Sequence, residues 1–222
     1  MSEANQGSEA WLYERIGMIT GSNIHKLMAK GRGDDLSAGA KTYCNDLIDD
    51  MIAQHPREQV SNFAMQRGLE LEPVARQAFI NKMDELNPIN PLSVEEVGFI
   101  KHPDFESFGC SLDGIVSDGG LLEIKCRGRG THLDQLDGCG SKTDMQMQWG
   151  MFCCELSHGW FVGYSDEFPE DGGGVIIHLH PRNEILIEEM KNKAIQATEY
   201  MKDRHKQRIE DINNKSIKLK GE

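Results

Sequence analysis

The sequence has no run near the roughly 20 apolar residues that a membrane-spanning helix needs. Its mean hydropathy is −0.51, so a membrane-spanning role is excluded. No basic-then-apolar stretch opens the chain; residues 1–10 are polar and acidic, and a cytoplasmic location is therefore expected. The six cysteines, at 44, 110, 126, 139, 153 and 154, contain no Cys-x-x-Cys pair. That absence argues against zinc ribbons, thioredoxin-like redox pairs and clustered iron–sulfur ligands, and the thiols are expected to be reduced and partly buried. His178 and His180 share a strand face by the period of two, a pairing read as structural rather than metal-binding. There is no repeat, low-complexity tract or Pro-rich linker. The 222 residues read as one domain, with a core over about 10–180 and a C-terminal helix and tail over about 183–222.

Charge is lopsided. The chain carries 24 Lys and Arg against 36 Asp and Glu, a net of −12. An acidic total disfavours a non-specific nucleic-acid coat, although local patches decide binding. From Lys191 to Glu222 the balance reverses, with nine basic and five acidic residues. This stretch reads either as a solvated helix face or as a basic surface for DNA or a neighbouring subunit.

The first part of the chain has helical periodicity. Thr20 or Ser22 is placed to cap a short helix with Ile24, Leu27 and Met28 on one side. After a polar loop over Gly31–Gly39, Tyr43, Cys44, Leu47, Ile48, Met51 and Ile52 mark a helix from about Ala38. Leu71, Val74, Ala75, Ala78 and Phe79 mark another over about Val60–Met83, in which Pro73 predicts a kink or a fresh start near Glu72. The period then changes. Strands are expected over Val94–Ile100, Phe105–Leu112, Gly114–Val116 and Leu121–Cys126, the last two joined by a turn at Ser117–Gly120. A helix over Thr143–Leu156, with Met145, Trp149, Phe152 and Cys153 inside, precedes strands at His158–Tyr164 and Gly174–His180. A long helix over Asn183–Ile212 follows, with Leu186, Met190, Ala194, Ala197 and Met201 inside. The fold class is α/β, a mixed central β-sheet flanked by helices.

Three places stand out chemically. Asp113 follows a strand and precedes a hairpin, and ten residues on come Glu123 and then Lys125. The spacing alone should arise by chance roughly 0.3–0.5 times per chain. Context adds to it, because alternate strand residues share a face: Glu123 and Lys125 point together while Leu122, Ile124 and Cys126 point into the core. The turn folds Asp113 back towards that face. Two carboxylates and the Ile124 carbonyl suit Mg²⁺, and Lys125 suits charge stabilisation. The plainer reading is an exposed surface Glu–Lys pair. Glu72 lies on the apolar side of its helix, where a carboxylate needs a partner or a metal; Arg76, one turn on, is the obvious partner. Gln146 is a polar amide beside the sheet, and by itself reads as structural.

These residues bring a resemblance. Asp113-x9-Glu123-x-Lys125 resembles the PD-(D/E)xK nuclease core, also called restriction-endonuclease-like. Three further blocks are similar to the phage lambda exonuclease family of YqaJ-type viral recombinases: Ala10–Ser22, Arg67–Glu72 with Ala75-Arg76, and Gln146–Trp149. The resemblance implies an Mg²⁺-dependent exonuclease, with Mn²⁺ as a substitute, that digests one strand of linear duplex DNA from a 5′ end for phage-type recombination in a bacterial host cytoplasm. It implies Asp113 and Glu123 as metal carboxylates with the Ile124 carbonyl, Lys125 as the catalytic lysine, Glu72 beside the metals for a second ion, and Gln146 in the active site. Arg15, Ser22 and Ser111 match 5′-phosphate ligands, Met65 a wedge at the terminal base pair, and Arg32 a DNA contact. A ring-shaped homotrimer and a single-strand annealing partner are implied as well. Leu112 stands where the family usually has proline, Arg127-Gly128-Arg129 has no counterpart, and the similarity fades after about Asp166. An endonuclease, a nuclease of other polarity and a non-catalytic DNA-end-binding module remain the alternatives.

Overall fold

A computed structural model describes residues 6–33, 35–57 and 63–215. The expected helix start at Val60 and the tail lysines Lys218 and Lys220 lie outside the described residues. Ser8 accepts a hydrogen bond from the Trp11 N–H and opens α1, Glu9–Glu14. The chain then forms β1 (Ile19–Thr20) and a single turn of helix, α2 (Gly21–Ile24). Thr20 occupies the N-cap position of α2 without a side-chain cap bond, and Ser22 lies inside the turn. Neither residue is the side-chain cap that the sequence suggested, because both hydroxyls are turned to other partners. Ser37 caps α3, Ala38–Ala53, by accepting from the Ala40 N–H.

The helix α4, Phe63–Leu86, runs through Pro73. There is no fresh start near Glu72, which sits on an interior turn. Two sheets follow. One has three strands in the order β1-β4-β3 and the other has five in the order β2-β5-β6-β7-β8. The expected single strand Val94–Ile100 is in fact two, β2 (Val94–Glu95) and β3 (Phe99–Lys101), one in each sheet. Glu96, Val97 and Gly98 carry the chain across, and Glu96 is drawn to Arg76. The strand expected from Phe105 begins later, as β4 (Phe108–Ser111), because Phe105 turns back to stack on Phe108 with ring centroids 4.7 Å apart. β5 (Gly114–Val116) and β6 (Leu121–Cys126) form the expected hairpin. Asp118 Oδ1 closes the turn by accepting from the Gly120 N–H at 2.9 Å.

Between β6 and its parallel neighbour β7 (His158–Tyr164) lie a short α5 (Arg129–His132), a 3₁₀ turn and α6, Ser141–Cys153. Sequence periodicity did not indicate α5. β8 (Val175–Pro181) and α7 (Glu184–Lys215) complete the chain. Pro181 is the last strand residue rather than the one after it.

Two apolar layers hold the five-stranded sheet. Leu122, Ile124 and Val162 pack against Ala75, Ala78 and Phe79 of α4. On the opposite side, Leu121 and Phe161 join Met147 and Trp149 of α6, Tyr43 and Ile48 of α3, and Met190 and Ala194 of α7. Each fully buried Leu, Ile, Val, Phe or Met among them contributes about 1.5–3 kcal/mol. Met147, Gln148, Trp149, Gly150, Met151 and Cys153 of α6 are all buried. The helix is therefore covered nearly all round, not along the one stripe expected, because it lies between the sheets and α7. No helix among the described residues is long and apolar enough to cross a membrane.

Candidate active site

Asp113 sits where the chain leaves the three-stranded sheet at Ser111 and enters the five-stranded sheet at Gly114. Gly114 is needed there, since a Cβ on it would lie 2.3 Å from Val94 Cγ1. The β5–β6 pairing ends at Gly114↔Leu122. By the alternation of an antiparallel ladder, Ile124 would next bond the same neighbour through both backbone groups. β5 no longer lies there, and Asp113 Oδ2 accepts the Ile124 N–H instead, at 2.7 Å. The same alternation aims the Ile124 carbonyl off that edge, beside the Asp113 carboxylate.

Glu123 is not on an exposed face. It is 1% exposed, and Lys125 Nζ donates to its Oε1 at 2.5 Å. The surface-pair reading of these two residues is thereby excluded. Burial pushes the Glu123 carboxyl up to about 7 against the pull of Lys125, and Asp113 adds to the rise. Burial works against the Lys125 ammonium, yet Glu123 and then Asp113 outweigh it and raise the pKa to about 12. Lys125 is thus charged at any working pH.

Glu72 has the Arg76 partner considered for it and lies beside the crossing residue as well. Arg76 Nη2 donates to Glu72 Oε1 at 2.9 Å, the i+4 pair, and Glu72 is also close enough to Asp113 to feel its charge. Burial first, and then Asp113, raise its pKa to about 7. Arg76 is the residue whose importance the sequence did not show. It is 8% exposed, bonds Glu72 and Glu96, and donates to the Asp113 carbonyl at 3.1 Å. It thereby ties α4 to the crossing point between the sheets. Its three partners are scattered along the chain, so only the i+4 contact was visible beforehand.

A second constellation lies up the chain from Asp113. Arg15 Nη1 donates to Ser111 Oγ at 2.9 Å and Nη2 to Ser22 Oγ at 3.4 Å. The three residues singled out in the sequence are therefore brought together. Trp11 completes the group: its ring lies under the Arg15 guanidinium at 4.0 Å, and its Nε1 donates to Ser111 Oγ at 3.0 Å. Among the described residues no carboxylate pairs with Arg15, and burial lowers its pKa to about 10, which still leaves it charged. A half-buried guanidinium held by hydroxyls and an aromatic face is short of an anion. α2, at four residues, is too short to add a helix-terminus field at Ser22, so the positive charge of this cluster is that of Arg15.

Gln146 is half-buried on α6 and packs against α2, where a Cβ on Gly21 would lie 3.5 Å from Gln146 Cγ. The nearby amide Gln148 has a structural role: it donates to the Pro181 carbonyl at 3.0 Å and accepts from the Asn183 N–H at 2.8 Å. Met65 is 47% exposed at the start of α4, near the exposed Phe63 and Leu69. Arg32 is exposed in the loop before α3.

The fold and this pairing of a buried carboxylate–lysine strand with an acidic crossing residue define a restriction-endonuclease-like α/β protein of the PD-(D/E)xK type. Residues 10–157 match the YqaJ-like viral recombinase domain, and the chain belongs to that family. Among solved structures it is similar to the alkaline exonuclease LHK-Exo of Laribacter hongkongensis, at 30% identity and a TM-score of 0.82, covering 93% of this chain and 99% of that one. LHK-Exo has also been solved in complex with dAMP. A phage-related exonuclease from Haemophilus somnus 129PT shares the fold at 16% identity and a TM-score of 0.65, over 86% of this chain and 96% of that one. No curated protein sequence matches the chain.

The raised Glu123 carboxyl has a measurable consequence. A carboxyl with a folded pKa above its unfolded value favours folding while it is protonated, and that stability is lost as pH rises through the folded value. Without divalent ions, the melting temperature is expected to fall by roughly 5–10 °C between pH 4.5 and 7. Glu123→Gln should reduce that decline in a thermal melt at constant ionic strength, leaving the part that the similarly raised Glu72 contributes. An equal decline in wild type and variant would show that Glu123 is not the group responsible.

Proposed function

We propose that the protein is a metal-dependent exodeoxyribonuclease that digests one strand of linear duplex DNA in the 5′→3′ direction, leaving single strand for recombination. The observation that carries this reading is the anion-deficient Arg15 pocket, whose Ser111 lies two residues before Asp113. A site that holds a terminal phosphate next to the cleavage centre reads an end.

The carboxylate centre fits a hard cation. Glu72, Asp113 and Glu123 bring three carboxylates against Lys125 and Arg76, and Arg76 is shared with Glu96. This excess of acid around the buried Glu123 needs further positive charge. Asp113, Glu123 and the Ile124 carbonyl would hold Mg²⁺, or Mn²⁺ in its place, with Glu72 beside a second ion; the metal when bound supplies Lewis-acid polarisation of the scissile phosphate. Arg15, Ser22 and Ser111 hold the 5′ phosphate. Lys125, kept protonated beside Glu123, stabilises negative charge building on the phosphoryl oxygens. Gln146, on α6 beside Gly21 and so next to Ser22, orients groups at the reacting phosphate. Met65 wedges the terminal base pair, and Arg32 contacts the duplex backbone. The dAMP bound by LHK-Exo is a deoxynucleoside monophosphate, the product class this reaction releases.

The test uses linear duplex labelled at the 5′ or 3′ end, with a covalently closed circle as control. Early release of the 5′ label as mononucleotide, with the circle untouched, is expected in Mg²⁺. Early release of the 3′ label would reverse the polarity, and cleavage of the circle would make the protein an endonuclease. We read 1–222 as one nuclease unit that assembles into a homotrimeric ring around DNA and hands its product to a single-strand annealing protein. Light scattering should then give three times 24.9 kDa; a monomer at micromolar concentration would contradict the ring.

A further inference from the structure

The sheet face that carries Glu123 continues across two more strands. Glu123, Phe161 and His178 lie opposite one another, and so do Leu121, Gly159 and His180. At the far end of this face, where α6 begins, Cys139 Sγ, an Asp144 carboxylate oxygen and a ring nitrogen of His180 all lie within 4.8 Å of one another. They come from three elements: the loop before α6, the first turn of α6 and the end of β8.

The local backbone is built to place the thiol. Gly138 and Gly140 flank Cys139 with φ of 124° and 79°, conformations that side-chain-bearing residues rarely adopt. They turn Cys139 inward to 9% exposure. Its Sγ makes only a long 3.5 Å contact to the Gly140 carbonyl. Asp144 Oδ1 and His180 Nδ1 are 3.2 Å apart, with side chains 34% and 20% exposed. The imidazole keeps a second nitrogen for another partner, and solvent reaches the cluster from the Asp144 side.

Thiolate, imidazole and carboxylate together are the donor set of a borderline-soft ion, not of Mg²⁺. A tetrahedral zinc with ligand bonds of roughly 2.0–2.3 Å needs donors about 3.3–3.8 Å apart. Closing from the present spread is within the reach of the half-exposed Asp144 and His180 side chains. Water completes the fourth position. Burial, then Asp144 and more weakly Glu123, raise the Cys139 thiol to about 11. The ion therefore displaces the thiol proton on binding.

We propose that Cys139, Asp144 and His180 form a Zn²⁺ site that shares no ligand with the carboxylate centre. The ion joins the loop before α6 to β8 and clamps the start of the helix that carries Gln146.

Co²⁺, added to the full-length reduced protein, is the spectroscopic probe. One equivalent is expected to produce a thiolate-to-cobalt charge-transfer band with tetrahedral d–d bands, and Zn²⁺ but not excess Mg²⁺ should remove both. Cys139→Ser should abolish the charge-transfer band, and His180→Gln and Asp144→Asn should each weaken Co²⁺ binding at least 10-fold. Asp113→Asn should leave the spectrum unchanged. Zn²⁺ should raise the melting temperature of wild type and of Asp113→Asn, but not of His180→Gln. If Cys139→Ser fails to fold, the His180 and Asp144 variants decide the matter. A band that forms with wild-type Co²⁺ affinity in those variants, that disappears in Asp113→Asn, or that never forms at micromolar free Co²⁺ overturns the site.

Discussion

Asp113→Asn and Glu123→Gln are each expected to lower cleavage of linear duplex DNA by at least 10²–10³-fold, on the order of the loss when one preorganised charge-stabilising group is removed, while DNA binding stays largely intact. Each substitution keeps shape and removes charge. Asn can still accept the Ile124 N–H that Asp113 takes at 2.7 Å, so the crossing between the sheets should hold. Gln at 123 is a neutral amide in a site 1% exposed, so the metal-free fold should be no less stable than wild type near pH 7. What both variants lose is ligand charge, and with it metal affinity and Lewis acidity together. Initial rates in Mg²⁺, read beside DNA affinity in Ca²⁺ and a thermal melt, separate these effects. Near-normal digestion by either variant would remove it from the metal centre. Lys125→Ala should also lose most turnover, but by a different route: divalent-ion binding should persist while the phosphoryl charge goes unanswered. Loss of ion binding in Lys125→Ala would make the lysine a positioning residue for Glu123.

Arg15→Ala should separate ends by their chemistry. On 5′-phosphorylated duplex, activity is expected to fall by roughly 10- to 150-fold, the equivalent of one charged hydrogen-bonding contact of about 1.5–3 kcal/mol. On 5′-hydroxyl duplex the loss should be much smaller. Ser111 and Ser22 hydroxyls hold the guanidinium at 2.9 and 3.4 Å and Trp11 holds its face, so its fork is preorganised for a phosphate in a way that lysine could not copy. Both substrates must be measured at one salt concentration, because phosphate contacts are salt-dependent. Equal losses on the two ends would identify Arg15 as a folding or general DNA residue, since its removal also takes a packed side chain from Trp11 and Phe99.

Much of this architecture was legible from local patterns. The hairpin carrying Glu123 and Lys125 follows from a two-residue period and a turn that only a few residue types make, and both signals are local. The long helices over α3, α4 and α7 follow from three-to-four spacing for the same reason. Short elements were read less well. The segment from Val94 to Ile100 looks like one strand because each of its residues is compatible with extended backbone. Its division between two sheets depends on Arg76 drawing Glu96 aside from another helix. Burial all round α6 was likewise hidden, because a sequence stripe reports one partner surface and α6 has several.

The sequence alone determined the residue types that chemistry needs and the order in which they arrive: Arg15, Ser22, Glu72, Ser111, Asp113, Glu123, Lys125, Gln146. Those identities, with their local periods, were enough to place the chain in its family and to nominate its sites. Only the tertiary structure decided which nominees meet and in what medium. It buried Glu123, although strand alternation also allowed it to face water, because α6 covers that side of the sheet. It made Arg76 the link between Glu72, Glu96 and Asp113. It also set Cys139 and Asp144 beside His180, a grouping with no spacing signature, since 36 residues separate the last two. Alternation, capping and turns act between neighbours in the chain, whereas burial, charge coupling and ligand grouping act between neighbours in space.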